Sequence, residues 1–511
     1  MLAKIQSCTI LGIQGIPLEV EVDISEGLPA FDIIGLPDAS VREAKERVRS
    51  AIKNSGFAFP LSRITVNLAP ADIKKEGSAF DLAIAVGFLA ATGQIPADEK
   101  LSNAVFAGEL SLNGDLRAIN GALAMALSLS EITQYKDREL ILPHANCQEA
   151  ALVENIRIKG PSTLAELVGY LHGTCDLPIV KPLTDNLQET RNGELDFSEV
   201  KGQETAKRAL EIAAAGAHNL LFYGPPGSGK TMLAKRLPSI LPEPLTDEIL
   251  EITRIHSVAG RLNSENPLCK DRPFRSPHHS ASIAGIIGGG LPPKPGEVSL
   301  AHLGVLFFDE MPEYNREILE ALRQPLEDKQ VTITRSAATV TYPANFMFIA
   351  SMNPCPCGNY GDPHRECRCN PNQIARYHSR LSGPLIDRID IQVEVPGLNL
   401  EQLEKESPGE SSAEIRQRVK VSRQKQLKRY KTIKAAANAH LRSRHFEKYC
   451  PLTGEARQIL HHSFKSLGLS MRAHDRIIRV ARTIADLDDS EKIEATHIAE
   501  AVQYRSLDRG I

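Results

Sequence analysis

The residues best equipped for chemistry lie at Gly224-Pro225-Pro226-Gly227-Ser228-Gly229-Lys230-Thr231. The glycines let consecutive backbone N–H groups curl around phosphate oxygens, a following helix adds the positive end of its dipole, and Lys230 supplies a mobile charge. Thr231 is placed to ligate Mg²⁺. The apolar run Asn219 to Tyr223 before the loop reads as a strand, and Met232 to Ile240 after it reads as a helix. That order is the context a G-x-x-x-x-G-K-T phosphate loop (Walker A) requires. Downstream, Gly304-Val305-Leu306-Phe307-Phe308-Asp309-Glu310 is a buried-type strand ending in two carboxylates. In such a Walker B pair Asp309 holds Mg²⁺ through water and Glu310 polarises the attacking water. A second core-type strand, Asn345 to Ala350, runs into Ser351-Met352-Asn353, and Asn353 suits a group that reads the γ-phosphate. Mg-ATP is the expected cofactor.

Four of the nine cysteines crowd into Cys355-Pro356-Cys357 and Cys367-Arg368-Cys369. Four thiolates on a Gly/Pro/Asp-rich loop suit tetrahedral Zn²⁺. The C-x-C spacing is tighter than the usual C-x2-C, which leaves His364 as a substitute for one sulfur and reduced free thiols as the alternative. The remaining cysteines are scattered singly, a cytosolic usage and not a disulfide framework.

The elements that must position these groups follow from periodicity. Residues 1–175 mix alternating segments (Val20 to Ile24, Arg63 to Leu68) with helical ones (Ser40 to Ser55, Phe80 to Thr92), and Asn113-Gly114 marks a hairpin. Residues 176–198 are polar, carry two prolines and read as a linker. Val200 to Ala217 is an amphipathic helix leading into the phosphate-loop strand. Glu317 to Glu327 is helical by pattern, and Gln330 to Arg335 with Ala338 to Tyr342 forms a hairpin around Ser336-Ala337, with Arg335 near its tip. In the segment between the two Walker motifs, Arg275-Ser276-Pro277-His278-His279-Ser280 and Gly285 to Gly290 read as a substrate-touching insertion or an inert loop; adjacent His278 and His279 should point apart on a strand or helix. The region 396–511 is helical. Within it Arg416 to Lys434 carries nine Lys/Arg and no acid, with Tyr430 interleaved, and reads as a phosphate-tracking patch or a solvated helix face.

With 511 residues several domains are expected. A composition of 42% hydrophobic and 24% charged residues is that of an ordinary soluble protein, and a net charge of −3 gives no global pull toward nucleic acid. No apolar stretch reaches membrane-spanning length. The N-terminal residues lack a secretory pattern, so a cytoplasmic location without membrane partners is expected.

Two resemblances add to this reading. Lys75 to Leu82 with Gly108 to Gly114 looks like the Lon-type protease fold, in which a serine and a lysine form the catalytic dyad. The serine position falls at Ala79 and the lysine position near Leu123, so the resemblance implies an inactive domain. Ser78, one place early, reads as a loop or cap residue. The Walker motifs, Asn353 and Ser382 to Asp390 resemble AAA+ ATPases of the magnesium-chelatase type. That resemblance places an arginine finger acting on the neighbouring subunit at Arg388, with Arg380 as the alternative, and a phosphate-sensing lid arginine at Arg472. The whole chain is similar to the magnesium-chelatase-like ComM/YifB family. The implied architecture is α/β: an inactive Lon-protease-like domain (1–175), a linker (176–198), a P-loop AAA+ α/β/α core (199–395) with a cysteine-rich insertion at 355–369, and a helical lid (396–511). The implied activity is that of a hexameric, ATP-driven DNA helicase acting in branch migration during natural transformation. A protein remodeller or chelatase-type motor shares every one of these ATPase residues, and a nucleotide switch with negligible turnover is a third class.

Overall fold

A computed structural model describes residues 1–72, 74–182, 195–262, 266–335, 339–361, 365–397, 409–433 and 435–505. The front unit is built on a sheet of seven strands: β1 (Leu2–Leu11), β2 (Gln14–Ser25), β3 (Ala30–Ile34), β4 (Arg63–Ala69), β5 (Ala104–Phe106), β6 (Glu139–Ile141) and β7 (Arg157–Lys159), in the order β3-β4-β2-β1-β5-β6-β7. On β2, Leu18, Val20 and Val22 alternate with exposed or half-buried residues, and this period of two turns one apolar face inward. The helices α1 (Ala39–Asn54), α2 (Asp81–Ala91) and α3 (Ala122–Glu131) cover the sheet. The helix α2 is apolar nearly all round and therefore fully interior. Its one charge, Asp81, is neutralised by Arg47 through bonds of 2.7 and 3.0 Å. The Asn113-Gly114 turn joins a small antiparallel hairpin, Glu109–Leu110 with Leu116–Arg117.

The central unit is a five-stranded, all-parallel sheet: β8 (Leu220–Tyr223), β9 (Phe274–Arg275), β10 (Val305–Phe308), β11 (Met347–Met352) and β12 (Ile391–Glu394), in the order β9-β10-β11-β8-β12. Its inner strands are continuous apolar runs because both faces are covered. The helices are α4 (Glu204–Gly216), α5 (Lys230–Ile240), α6 (Thr246–Val258), α7 (Pro371–His378), α8 (Ser412–Arg429), α9 (Met471–Leu487) and α10 (Ala495–Gln503). The β-hairpin Gln330–Thr334 with Thr339–Pro343 forms, while its Ser336-Ala337 turn lies outside the described residues.

Several expectations shift. The helix expected from Val200 begins at Glu204, because Gly202 and Gln203 both have positive φ. The Glu317 to Glu327 helix is two pieces, Arg316–Ala321 and Arg323–Asp328, since Pro325 has no N–H to offer the Ala321 carbonyl. The C-terminal helices share one hydrophobic core with the sheet: Leu210, Leu220, Ile391, Val419, Ile477 and Ala481 belong to a single buried cluster. The end of the expected linker is pinned, with Phe197 fully buried and the Asp196 carboxylate accepting the Ser412 N–H at 3.2 Å. Front and central units touch along α6, where Arg254 donates to the Ile13 carbonyl at 2.7 Å and Ser257 to Glu149 at 2.5 Å.

Candidate nucleotide site

The sheet order fixes the site. The phosphate-loop strand β8 and the Walker B strand β10 are not neighbours; β11 runs between them, and all three end at the same edge. Lys230, Asn353, Asp309 and Glu310 therefore converge from three adjacent strand ends. Gly224 stands where the chain leaves β8 at φ 157°, and a Cβ there would lie 2.2 Å from the Val395 carbonyl oxygen. No other residue type fits that close approach.

Lys230 opens α5 and is buried, its Nζ donating to the Gly224 and Pro225 carbonyls at 2.8 and 2.7 Å and to Asn353 Oδ1 at 3.2 Å. Burial lowers its pKa to about 8, against the opposing pull of the Asp309 and Glu310 carboxylates. Thr231 Oγ1 donates to Asp309 Oδ2 at 2.8 Å. This hydroxyl and carboxylate pair is an oxygen donor set suited to Mg²⁺. Glu310 has φ 50° and an exposed side chain, so its carboxylate turns outward from the strand end. In the loop itself, Ser228 Oγ is buried without a protein partner among the described residues. An orphaned donor beside Lys230 and the N-terminus of α5 fits a phosphate group.

Two residues in this network were not anticipated. Ser351 donates to Asp309 Oδ1 at 2.5 Å and accepts the Glu310 N–H at 3.0 Å, fixing the Asp309 carboxylate and the Glu310 backbone. Its signal was available, since β10 and β11 pair with Phe308 opposite Ala350 and the next step sets Asp309 beside Ser351. Gln203 donates to the Ser228 carbonyl at 3.3 Å and the Pro396 carbonyl at 2.8 Å, bracing the loop from the start of α4.

Arg388 lies at the opposite edge. Its carbonyl accepts from Asn219 at 2.9 Å, just before β8 and β12 begin, whereas Lys230 lies beyond their ends. A four-residue strand separates the two edges by about 13 Å. The Arg388 guanidinium donates to the Pro384 carbonyl at 2.6 Å and pairs with Glu327. Arg380 instead reaches the Walker B turn of its own chain, bonding the Pro312 carbonyl at 3.0 Å and Glu313 at 3.1 Å. Arg472, to which the resemblance assigns phosphate sensing, lies away from its own chain's phosphate loop. It is largely exposed and sits 3.7 Å from Asp387, on the Arg388 side. The cause is Arg476, one turn along α9, which grips buried Asp390 at 3.2 Å and draws the start of α9 to the strand beginnings.

The basic run is partly committed to ion pairs. Arg418 pairs with Glu211 at 2.5 Å, Lys425 with Asp489 at 2.7 Å and Arg429 with Asp486, while Tyr430 is buried and donates to Asn438 at 2.5 Å. One side of α8, with Ile415, Val419 and Gln426, packs into the core; Lys420, Lys428 and Lys431 face solvent, and Lys434 lies outside the described residues. His278 and His279 do not point apart: outside any helix or strand their ring centroids lie 4.0 Å from each other, the planes tilted by 35°. Cys355, Cys357, Cys367 and Cys369 come together, all four sulfurs within 4.8 Å of one another, and form the one potential metal cluster among the described residues. His364 lies outside those residues.

Comparison with known proteins sets this geometry in a family. The models described as "Magnesium chelatase, subunit ChlI", "Subunit ChlI of Mg-chelatase" and "Magnesium chelatase, subunit ChlI C-terminal" match residues 196–403, 20–146 and 409–505. The "Competence protein ComM" of Haemophilus influenzae is 45% identical over 512 residues, covering 99% of this chain and 98% of that protein. The chain belongs to the magnesium-chelatase-like ComM/YifB family. The "Uncharacterized protein YifB" of Escherichia coli, also 45% identical over 99% of this chain, is a second full-length relative.

The family's front domain is Lon-like, and "Lon protease 2" of Bacillus subtilis is 30% identical over 145 residues, 26% of each chain. In this ComM/YifB chain Leu123 is fully buried in an apolar cluster against which Ala79 packs, while Ser78 bonds Glu109. No nucleophile or amine stands at either dyad position. No helix among the described residues is long and apolar enough to cross a membrane.

Proposed function

We propose that this AAA+ protein hydrolyses Mg-ATP at a site shared between two subunits of a hexameric ring, and that the ring moves along DNA as a helicase in branch migration. The observation that carries the reading is the division of groups between the sheet edges. Lys230, Thr231, Asp309, Glu310 and Asn353 gather at one edge, and Arg388 with Arg472 lies at the other. An arginine at the far end of the strands from its own phosphate loop would complete a site through a neighbouring subunit, as a ring of subunits supplies. Asp309 and Thr231 would hold Mg²⁺, Glu310 would orient water, Asn353 would read the γ-phosphate, and the four cysteines would hold Zn²⁺.

DNA as the moving partner rests on the family and on the competence role in the name of the Haemophilus influenzae relative. The contacts would fall to exposed cations such as Arg335 beside the hairpin turn, Lys294, and Lys420 and Lys428 on the solvent side of α8. ATPase rates with and without single-stranded, duplex and forked DNA, run beside a strand-displacement assay, test this. Stimulation of several-fold with displacement is expected. Turnover indifferent to every DNA but raised by a protein partner would establish the remodeller instead.

A further inference from the structure

The cysteine cluster is built into the nucleotide site. Cys355 follows Asn353 by two residues, and Cys369 precedes Asn370, the cap of α7. Its sulfur separations are 3.4 Å for Cys355–Cys357 and 3.7 Å for Cys355–Cys367 and Cys357–Cys367. A disulfide needs about 2.05 Å. A tetrahedron of thiolates around zinc, with Zn–S of about 2.3 Å, has edges of about 3.8 Å. Three of the sulfurs thus stand close to the spacing of a Zn(Cys)₄ centre, and the Cys369 sulfur lies within 4.8 Å of each of them. Two backbone bonds tighten the knuckle: Gly358 N–H to the Cys355 carbonyl at 3.0 Å, and Tyr360 N–H to Cys355 Sγ at 3.3 Å.

The knuckle touches both working parts of the site. Gly358, at φ 81°, lies flat on the phosphate loop; a Cβ there would be 2.4 Å from Pro226 Cγ and 2.5 Å from Cδ. The proline ring cannot swing away as a flexible side chain would. On the other side His378, at the end of α7, bonds the Pro354 carbonyl at 3.0 Å, so the segment between Asn353 and the knuckle is held from two directions. The chain then runs from α7 through Ser382 to Arg388, so the knuckle stands between the loop that binds phosphate and the arginine offered to a neighbour.

We infer that the four thiolates hold a Zn²⁺ whose task is to position the phosphate loop against Asn353, making the cluster a metal-dependent clamp on nucleotide binding. This rests on the nucleotide-site reading above. Removing the metal frees the knuckle, Pro226 loses its backing, and ATP affinity falls while Lys230, Asp309 and Glu310 remain in place. Cys355, Cys357, Cys367 and Cys369 act here as positioning residues.

The test measures zinc by elemental analysis of the natively purified full chain, together with fluorescent-ATP affinity and the KM and kcat of hydrolysis, in four variants. One zinc per chain is expected in the native protein. Cys369→Ser should lose it and weaken ATP binding about tenfold or more, with KM rising more than kcat falls. Cys369→His, which preserves a Cys3His ligand set, should keep both the zinc and the affinity. Gly358→Ala should keep its zinc and still weaken ATP binding, since it disturbs only the contact on Pro226. Lys230→Ala should keep its zinc while losing nucleotide, which separates the clamp from the nucleotide site itself. Absence of zinc from the native protein overturns the metal. Zinc present, with unchanged ATP affinity in both Cys369→Ser and Gly358→Ala, overturns the clamp and leaves the nucleotide site standing.

Discussion

The two α/β units of this chain treat the ends of their elements in opposite ways. At the start of α2 and in α3 of the front unit, Ala79 and Leu123 close into an apolar cluster with Val105 and Ile119. At the ends of β8, β10 and β11 of the central unit, Lys230, Asp309 and Asn353 meet as a hydrogen-bonded polar set braced by Ser351 and Gln203. Fold and chemistry are separable: the sheet and its helices need only apolar burial, while a working site must keep partly buried charges paired. At the dyad positions of the front unit, Ala79 and Leu123 serve packing alone. Apolar replacement within the central unit's set would strand Asp309 and Thr231.

Substitutions that abolish the polar set should therefore have the largest effects. Lys230→Ala is expected to remove ATP binding and hydrolysis together, whereas Glu310→Gln should retain bound nucleotide and lose at least about a hundredfold in kcat, as single-turnover and binding assays would separate. Equal loss of binding in both would erase the roles assigned to them. Ser351→Ala comes next, with an expected drop in kcat of about tenfold from a loosened Asp309 and Glu310, read against nearly unchanged ATP affinity. In the front unit the reverse change is the informative one. Leu123→Lys should cost about 2 kcal/mol or more in urea unfolding, because it puts an ammonium into an apolar cluster, and the Ala79→Ser, Leu123→Lys pair should show no peptidase activity. A gain of peptide cleavage would collapse the contrast.

The smallest expected effect is a pH dependence. Burial holds Lys230 at a pKa of about 8, and bound phosphate favours the charged form, so binding above that pH takes up a proton. ATP affinity should be flat below pH 8 and fall by up to about tenfold per pH unit above it, in a fluorescent-nucleotide titration. Lys230→Arg, whose guanidinium stays charged, should flatten the curve.

What could be read from the sequence was what is local. The phosphate loop, the Asp309-Glu310 strand end and the cysteine pairs are contiguous patterns whose residues meet because the adjoining strand or loop is short. The pairing of α8 was not legible, because Glu211 and Asp486, which pair with Arg418 and Arg429, lie 207 and 57 residues away. The edge on which Arg472 sits was not legible for a similar reason, since only the Arg476 grip on Asp390 tells which edge the start of α9 approaches. The contact of His278 with His279 was missed because strand and helix periodicities do not apply to a turn. Pro325, by contrast, carried a legible warning that the Glu317 to Glu327 helix would break.

The shared active site can be tested directly by mixing two inactive variants. Lys230→Ala keeps Arg388 but has no working phosphate loop, and Arg388→Ala keeps the loop but lacks the arginine. In rings assembled from equal amounts, about a quarter of the subunit interfaces should pair an intact loop with an intact Arg388. ATPase activity well above either variant alone is the expected result, scaling with that fraction. A mixture that co-assembles, as shown by copurification of differently tagged chains, yet stays as inactive as its components would show that Arg388 does not act on a neighbour's nucleotide.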